Sequence, residues 1–168
     1  MKAMILSGGR GKRLRPVTDT IPKPLIRINN KPLIEWKINY LKKFGIKDII
    51  ICSGYKGKKI ENYISKKNNF GCNVEYSIET TPLGTAGAIK KAIKNIVDDS
   101  FIVLNGDIIT NINLKKMMTK LNSIAAIELR TNYGTMKIKN NNIDGIRMTL
   151  IDSFFLAGFL FFMSLDSN

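Results

Sequence analysis

Lys2-Ala3-Met4-Ile5-Leu6-Ser7-Gly8-Gly9-Arg10-Gly11 is the stretch that decides the fold. Its apolar half reads as a short buried strand, and it breaks at Ser7-Gly8-Gly9. A strand that runs into a glycine-rich turn lets backbone N–H groups approach an anion with no side chain in the way. Arg10, Lys12, Arg13 and Arg15 add positive charge to the same loop, which continues to about Pro24. The opening of the chain is therefore a strand carrying an anion-binding loop.

Downstream, helix and strand signals alternate. From Pro32 to Phe44 the residues Ile34, Ile38 and Leu41 recur at helical spacing, with Pro32 suited to a first turn and Gly45 to a C-terminal cap. Asp48 to Ser53 holds Ile49-Ile50-Ile51, a β-branched run expected of a strand covered on both faces. A lysine-rich amphipathic segment runs to Ile64, a strand spans Asn73 to Ile78, and Ala86, Ile89 and Ile93 mark a helix from Thr85 to Ile96. Phe101 to Leu104 is a further buried strand, ending in Asn105-Gly106-Asp107. This alternation predicts an α/β domain with a largely parallel sheet. After about residue 120 the pattern changes to short strands at Ile124–Leu129, Tyr133–Lys139 and Ile143–Met148, with Asn140-Asn141-Asn142 as a hairpin turn.

Composition narrows the chemistry. The chain has 168 residues, 44% hydrophobic and 24% charged, enough for one domain with its own core. It carries 27 Lys plus Arg against 13 Asp plus Glu, a net charge of +14, which favours a polyanionic partner. It has no histidine, which removes Ser-His-Asp and Cys-His catalysis and histidine-ligated zinc. Cys52 and Cys72 are far apart and read as free thiols of a reducing, cytoplasmic compartment. No signal peptide is legible. The apolar run Phe154–Met163 is about half the ~20 residues of a membrane helix, so no membrane association is expected. The lysines are scattered rather than interleaved with aromatics, and no RNA- or DNA-binding motif occurs, so nucleic acid is not the expected partner.

The glycine loop is neither a Walker A loop nor a dinucleotide fingerprint, since Leu14 stands at the third glycine position. Gly8-Gly9-x-Gly11-x-Arg13-Leu14-x-Pro16-x-Thr18, followed by Pro22-Lys23-Pro24-Leu25, resembles the signature of sugar-1-phosphate nucleotidyltransferases, and Tyr76-Ser77-Ile78-Glu79-x-x-Pro82-Leu83-Gly84-Thr85 looks most like the guanylyltransferases acting on mannose- or heptose-1-phosphate. Pro82-Leu83-Gly84-Thr85-Ala86-Gly87 is similar to the second nucleotide-contacting loop of that family, and Leu104-Asn105-Gly106-Asp107 to its metal-binding turn. The resemblance is continuous over about residues 1 to 135. It implies a Rossmann-like nucleotidyltransferase fold: a mixed, mostly parallel sheet between helices, with short strands in the C-terminal third.

By the same resemblance, Leu6, Gly8, Gly9 and Gly11 line the nucleotide site. Arg13 binds the triphosphate, Lys23 the reacting phosphate, and Pro82, Gly84 and Thr85 the nucleoside, while Asp107 holds Mg²⁺. The implied partners are an NTP and a sugar 1-phosphate. Independently, a carboxylate after a glycine at the end of a buried strand is where open α/β sheets hold ligand groups, and Mg²⁺ takes one or two carboxylates plus phosphate oxygens. The implied reaction needs no histidine, because its phosphate nucleophile is already an anion. A nucleotide-binding homologue without turnover is the alternative.

Two features depart from the family. Where it carries Glu-Lys-Pro, this chain reads Ile146-Arg147-Met148-Thr149, and of an Asn-Ala-Gly element only Ala157-Gly158 remains. The expectation is one domain over 1–168, with residues 1–122 binding nucleotide and 123–168 a shortened acceptor part. The apolar run ending at Met163 is then left partly uncovered, which predicts a homo-oligomer.

Glu79 suggests the nucleobase. It ends a strand just before the Pro82–Thr85 loop, and an ionised carboxylate accepts the adjacent N1–H and N2–H₂ donors of guanine at once. Uracil and thymine present one N–H between carbonyls, which a carboxylate repels. GTP is expected over UTP or dTTP.

Overall fold

A computed structural model describes residues 1–120, 122–125, 135–139, 142–147 and 160–164. In chain order the elements are β1 (Lys2–Ser7), α1 (Val17–Thr20), β2 (Arg27–Ile28), β3 (Lys31–Pro32), α2 (Leu33–Lys43), β4 (Asp48–Ser53), α3 (Gly57–Lys66), β5 (Asn73–Ile78), α4 (Gly84–Ala92), β6 (Ser100–Asn105), α5 (Leu114–Met117), β7 (Ser123–Ile124), β8 (Thr135–Lys139), β9 (Asn142–Arg147) and β10 (Leu160–Ser164). The main sheet runs β5-β4-β1-β6-β10-β7. Its first four strands are parallel, and β10 is antiparallel to both its neighbours. The α/β, mostly parallel reading of the sequence holds.

Strand alternation sorts the core into two layers. Ala3, Ile5, Ile49, Ile51, Ile102 and Leu104 face α2 and α3, where Ile34, Ile38, Leu41, Ile60 and Ile64 meet them. Met4, Ile50, Cys52, Phe101 and Val103 face the opposite way, onto Ala88 and Ala92 of α4. A strand buried on both faces has no room for a polar alternation, which is why β1, β4 and β6 read as continuous apolar runs. Burying one such isoleucine stabilises the fold by roughly 2 kcal/mol. Among the described residues, no helix is long and apolar enough to cross a membrane.

Two expectations are modified. The strand expected over Ile124–Leu129 pairs only at Ser123–Ile124 and has ended by Ala125, with 126–129 outside the described residues. β8 and β9 do pair antiparallel, but the turn expected at Asn140–Asn142 lies outside the described residues except for Asn142, which opens β9. The backbone of the apolar run at the C-terminal end is paired in its second half. Leu160–Ser164 enters the main sheet as β10, in register with β6 from Leu160↔Leu104 to Ser164↔Ser100. The run pairs its backbone within its own chain. Phe154 to Phe159 lie outside the described residues.

Strand order decides where ligands can go. β4 and β5 lie on one side of β1, and β6 on the other. The loops after β1 and β6 therefore diverge at a switch point, the place where parallel sheets open a crevice at their carboxyl ends.

Candidate nucleotide site

Both β1 and β4 end in Ser-Gly at the same level, with Ser7 opposite Ser53 in register. The two turns are stitched together, since the Tyr55 N–H donates to the Gly8 carbonyl at 3.2 Å. One strand over, the Glu79 N–H donates to the Ser53 carbonyl at 2.7 Å, which brings Glu79 up beside the glycine loop. The Glu79 carboxylate then accepts from the Leu83 N–H through Oε2 at 3.1 Å. Its other oxygen lies where a side chain on residue 8 would begin: a Cβ built on Gly8 would stand 2.6 Å from Glu79 Oε1. Glycine at position 8 is thus required by the carboxylate behind it.

On the other side of β1, the Gly106 N–H donates to the Leu6 carbonyl at 2.8 Å. A Cβ on Gly106 would meet Ser7 Oγ at 2.6 Å and the Leu6 carbonyl oxygen at 2.7 Å, so only glycine lets the β6 turn close onto β1. That closure sets the next residue, Asp107, at the mouth of the sheet. Lys23 Nζ sits 2.5 Å from Asp107 Oδ2, both side chains about one-third exposed. The Lys23 stem passes under the glycine loop, its Cβ 3.4 Å from where a Gly11 Cβ would be. Thr18, buried in the same loop, donates through Oγ1 to the Gly11 carbonyl at 3.0 Å.

Against the glycine loop lies a cavity of about 400 Å³ lined by Gly8, Gly9, Arg10, Gly11, Lys12 and Pro82. Arg13 stands exposed on the short turn Lys12–Leu14, and the cations lining this cavity are Arg10 and Lys12. Gly84 and Thr85 open α4 on the exposed rim. The sequence-expected residues thus form two groups on one loop: Gly8, Gly9 and Glu79 with the Leu83 backbone at one end, Gly11, Lys23 and Asp107 at the other.

The structure adds residues that the sequence reading passed over. Lys37 is 3% exposed, on the inner face of α2. Burial lowers its pKa to about 8, the Asp107 charge opposing part of that shift. The signal was there to read, since Lys37 interrupts the apolar stripe Ile34, Ile38, Leu41 at its second position. Tyr55 is the other. Its hydroxyl donates to the Thr18 carbonyl at 3.1 Å, and Arg10 Cζ lies 5.8 Å from its ring centre, so it braces both ends of the glycine loop. Burial, with the Glu79 charge behind it, pushes the Cys52 thiol up to about 12, leaving it inert.

Comparison with known proteins identifies the family. The nucleotidyl transferase family model matches residues 2–146. The chain belongs to that family. Among relatives of this nucleotidyl transferase chain, a D-glycero-alpha-D-manno-heptose 1-phosphate guanylyltransferase of Aneurinibacillus thermoaerophilus is 43% identical over 71% of this chain and 52% of its own length. An N-acetylmuramate alpha-1-phosphate uridylyltransferase of Neisseria meningitidis is 44% identical over 67% of this chain and 49% of its own. The chain spans about half the length of these two curated relatives. The crystal structure of HddC from Yersinia pseudotuberculosis complexed with GMP-PN superposes with a TM-score of 0.77 at 31% identity, covering 97% of this chain and 76% of that one.

Proposed function

We propose that this chain transfers a nucleoside monophosphate from an NTP to a sugar 1-phosphate, releasing pyrophosphate. The observation that carries the reading is the pairing of a carboxylate beside the β1 turn with a Lys–Asp pair beyond it, at opposite ends of one glycine loop. The spacing suits a nucleotide lying along the loop, its base toward Glu79 and its phosphates toward Lys23. The relatives' names support the same class of reaction.

The donor set at Asp107 suits Mg²⁺. It is a hard carboxylate at a strand end, and a positive charge, the Lys23 ammonium, already rests on it. A bound Mg²⁺ would supply charge against the developing pyrophosphate. The chain's own residues do the rest. Arg10, Lys12 and Arg13 hold the triphosphate, while the loop N–H groups align it. Lys23 faces the α-phosphate. A sugar phosphate oxygen attacks the α-phosphorus in line, its new P–O bond forming as the bond to the bridging oxygen breaks. No proton needs to leave the nucleophile, so no base is required.

We assign the base to guanine. Glu79 is fixed on one side by Leu83 and on the other by Gly8, leaving its remaining lone pairs to two adjacent N–H donors. We read residues 1–122 as the nucleotide part and 123–168 as a shortened acceptor part of one cytoplasmic domain. A binding protein without turnover is the second reading, favoured by Ile146-Arg147-Met148-Thr149 in place of the acceptor element.

Pyrophosphate release tests the proposal, measured with GTP, UTP and dTTP against heptose-, mannose- and glucose-1-phosphate, with calorimetry of each nucleotide alongside. Turnover with GTP and at least one acceptor is expected. Binding without turnover supports the second reading, and the absence of both removes the proposal.

A further inference from the structure

Asp107 is the residue that would hold the metal; one cation of its own chain is in contact with it, and a second acts on it through its charge. Lys23 Nζ lies 2.5 Å from its Oδ2. The second is Lys37, 3% exposed on the inner face of α2, which makes no hydrogen bond or ion pair among the described residues. Lys37 lines a cavity of about 300 Å³ with Ile109 and Thr110, two and three residues beyond Asp107. An unpaired buried ammonium is costly, and in a low dielectric it projects its charge further than a surface lysine does. Its nearest use is the Asp107 carboxylate, whose charge it feels.

Among the described residues no three Asp, Glu, Cys or His side chains cluster to form a ready-made metal cage. A divalent cation approaching Asp107 by itself therefore finds one carboxylate, already neutralised by Lys23 and backed by a fixed positive charge. A triphosphate changes this balance. Its oxygens add metal ligands and give the Lys23 ammonium another anion to bind, releasing the carboxylate.

Resting on the nucleotidyl-transfer reading, we infer that Lys23 and Lys37 form a cationic gate over Asp107, which keeps free divalent ions out and admits the metal only together with a nucleoside triphosphate. Lys23 is the moving half, because it is one-third exposed on a long flexible stem. Lys37 is the fixed half, because it is only 3% exposed on the inner face of α2. Lys37 acts through Asp107 and touches no substrate, so it is a positioning residue.

Paramagnetic broadening of backbone amides by Mn²⁺ tests the gate, since it reports weak binding residue by residue. In the wild type, the amides of Gly106, Asp107 and Ile108 should stay sharp with Mn²⁺ alone and broaden when GTP is added. In Lys23→Met and in Lys37→Met the same amides should broaden with Mn²⁺ alone, the metal affinity rising on the order of tenfold for each cation removed. Asp107→Asn in either background should abolish that gain. A thermal melt shows that each variant is folded, and Lys37→Met removes the charge while keeping an unbranched side chain only one heavy atom shorter. Equal broadening of the wild type with and without GTP overturns the gate, as does an unchanged metal-alone response in both lysine variants. Failure of GTP to recruit Mn²⁺ to the wild type removes the nucleotidyl-transfer reading instead. The metal-alone comparison then still decides whether the lysines guard Asp107.

Discussion

Glu79 occupies the space that a side chain on residue 8 would need: a Cβ on Gly8 would lie 2.6 Å from Oε1 and 3.1 Å from the carboxyl carbon. The glycine and the carboxylate form one unit. Gly8→Ala should push the carboxylate off the Leu83 N–H, lowering GTP affinity about tenfold with little loss of stability, because the displaced atoms end a flexible side chain. Glu79→Gln should keep the geometry but remove the charge, narrowing or reversing the preference for GTP over UTP. Calorimetric titration of both variants with both nucleotides measures this. A wild-type preference for UTP would take Glu79 out of the base site.

Asp107→Asn should lower turnover at least a hundredfold while hardly moving the melting temperature. Its partner Lys23 and its own carboxylate are each about one-third exposed, and such pairs contribute about 1 kcal/mol or less. Asn keeps the shape but cannot attract a hard cation as a carboxylate does. Pyrophosphate release and a thermal melt on the same sample separate the two effects. Wild-type turnover in the variant would refute the metal assignment.

Lys37 should leave a signature in stability against pH. Its pKa falls from 10.5 to about 8 in the fold, so between those values the unfolded chain binds the extra proton and stability rises with pH. Over the full window this amounts to roughly 3 kcal/mol. Cys52, raised from 9.0 to about 12, acts with the opposite sign: the unfolded thiol ionises first, so stability falls above pH 9. Tyr40 and Tyr63, raised from 10.0 to about 12, add to that fall above pH 10. The wild type should therefore gain stability from about pH 8 to 9, level off, and lose it above 10. Lys37→Met should start more stable at pH 7 and lack the rise. Urea midpoints at half-unit pH intervals would show it, and a flat wild-type profile from pH 8 to 9 would contradict the burial of a charged lysine.

Removing Leu160–Ser164 should turn a stable sheet into an associating one. β10 covers the β6 edge and carries β7 on its far side, so its loss unpairs both. A bare apolar edge pairs with other copies. Light scattering should show aggregates for a chain ending at residue 159. Met163→Lys, at a position packed against the α4-side core, should instead destabilise by about 1–3 kcal/mol without opening the edge. A truncated chain that stays dispersed would show that β6 is protected by something else.

The elements of the first 120 residues were legible because each buried strand spells itself out. Ile49-Ile50-Ile51 can be covered on both faces only in a parallel sheet, and Ser7-Gly8-Gly9 can only end a strand. The site was legible as motifs, since Gly8, Lys23 and Asp107 are near their strand and loop ends in sequence too. The pairings across the site were not. Lys23 and Asp107 are brought within 2.5 Å by the order of strands, which no local pattern encodes. Lys37 was overlooked because lysine on a helix is normally solvated, and its burial depends on the sheet beneath α2. The pairing of Leu160–Ser164 was not legible because the run is apolar on both alternations, and its partner lies sixty residues upstream, in β6.

β1 is the first of the described strands, yet its pairing is completed only when β6 arrives. Its partners are β4, beginning at Asp48, and β6, whose Phe101 pairs with Lys2. Closing that second ladder means bringing together segments about a hundred residues apart, a slow step for a chain of this kind. The Gly106 N–H that fixes the Leu6 carbonyl belongs to the later partner. During synthesis, the glycine loop can therefore be braced by Thr18, Tyr55 and Glu79 early, while its Asp107 side waits until β6 has emerged. A nascent chain stalled before residue 100 would hold the glycine loop beside Glu79 but lack Asp107, so the base end of the site precedes its metal end rather than both growing in proportion to length.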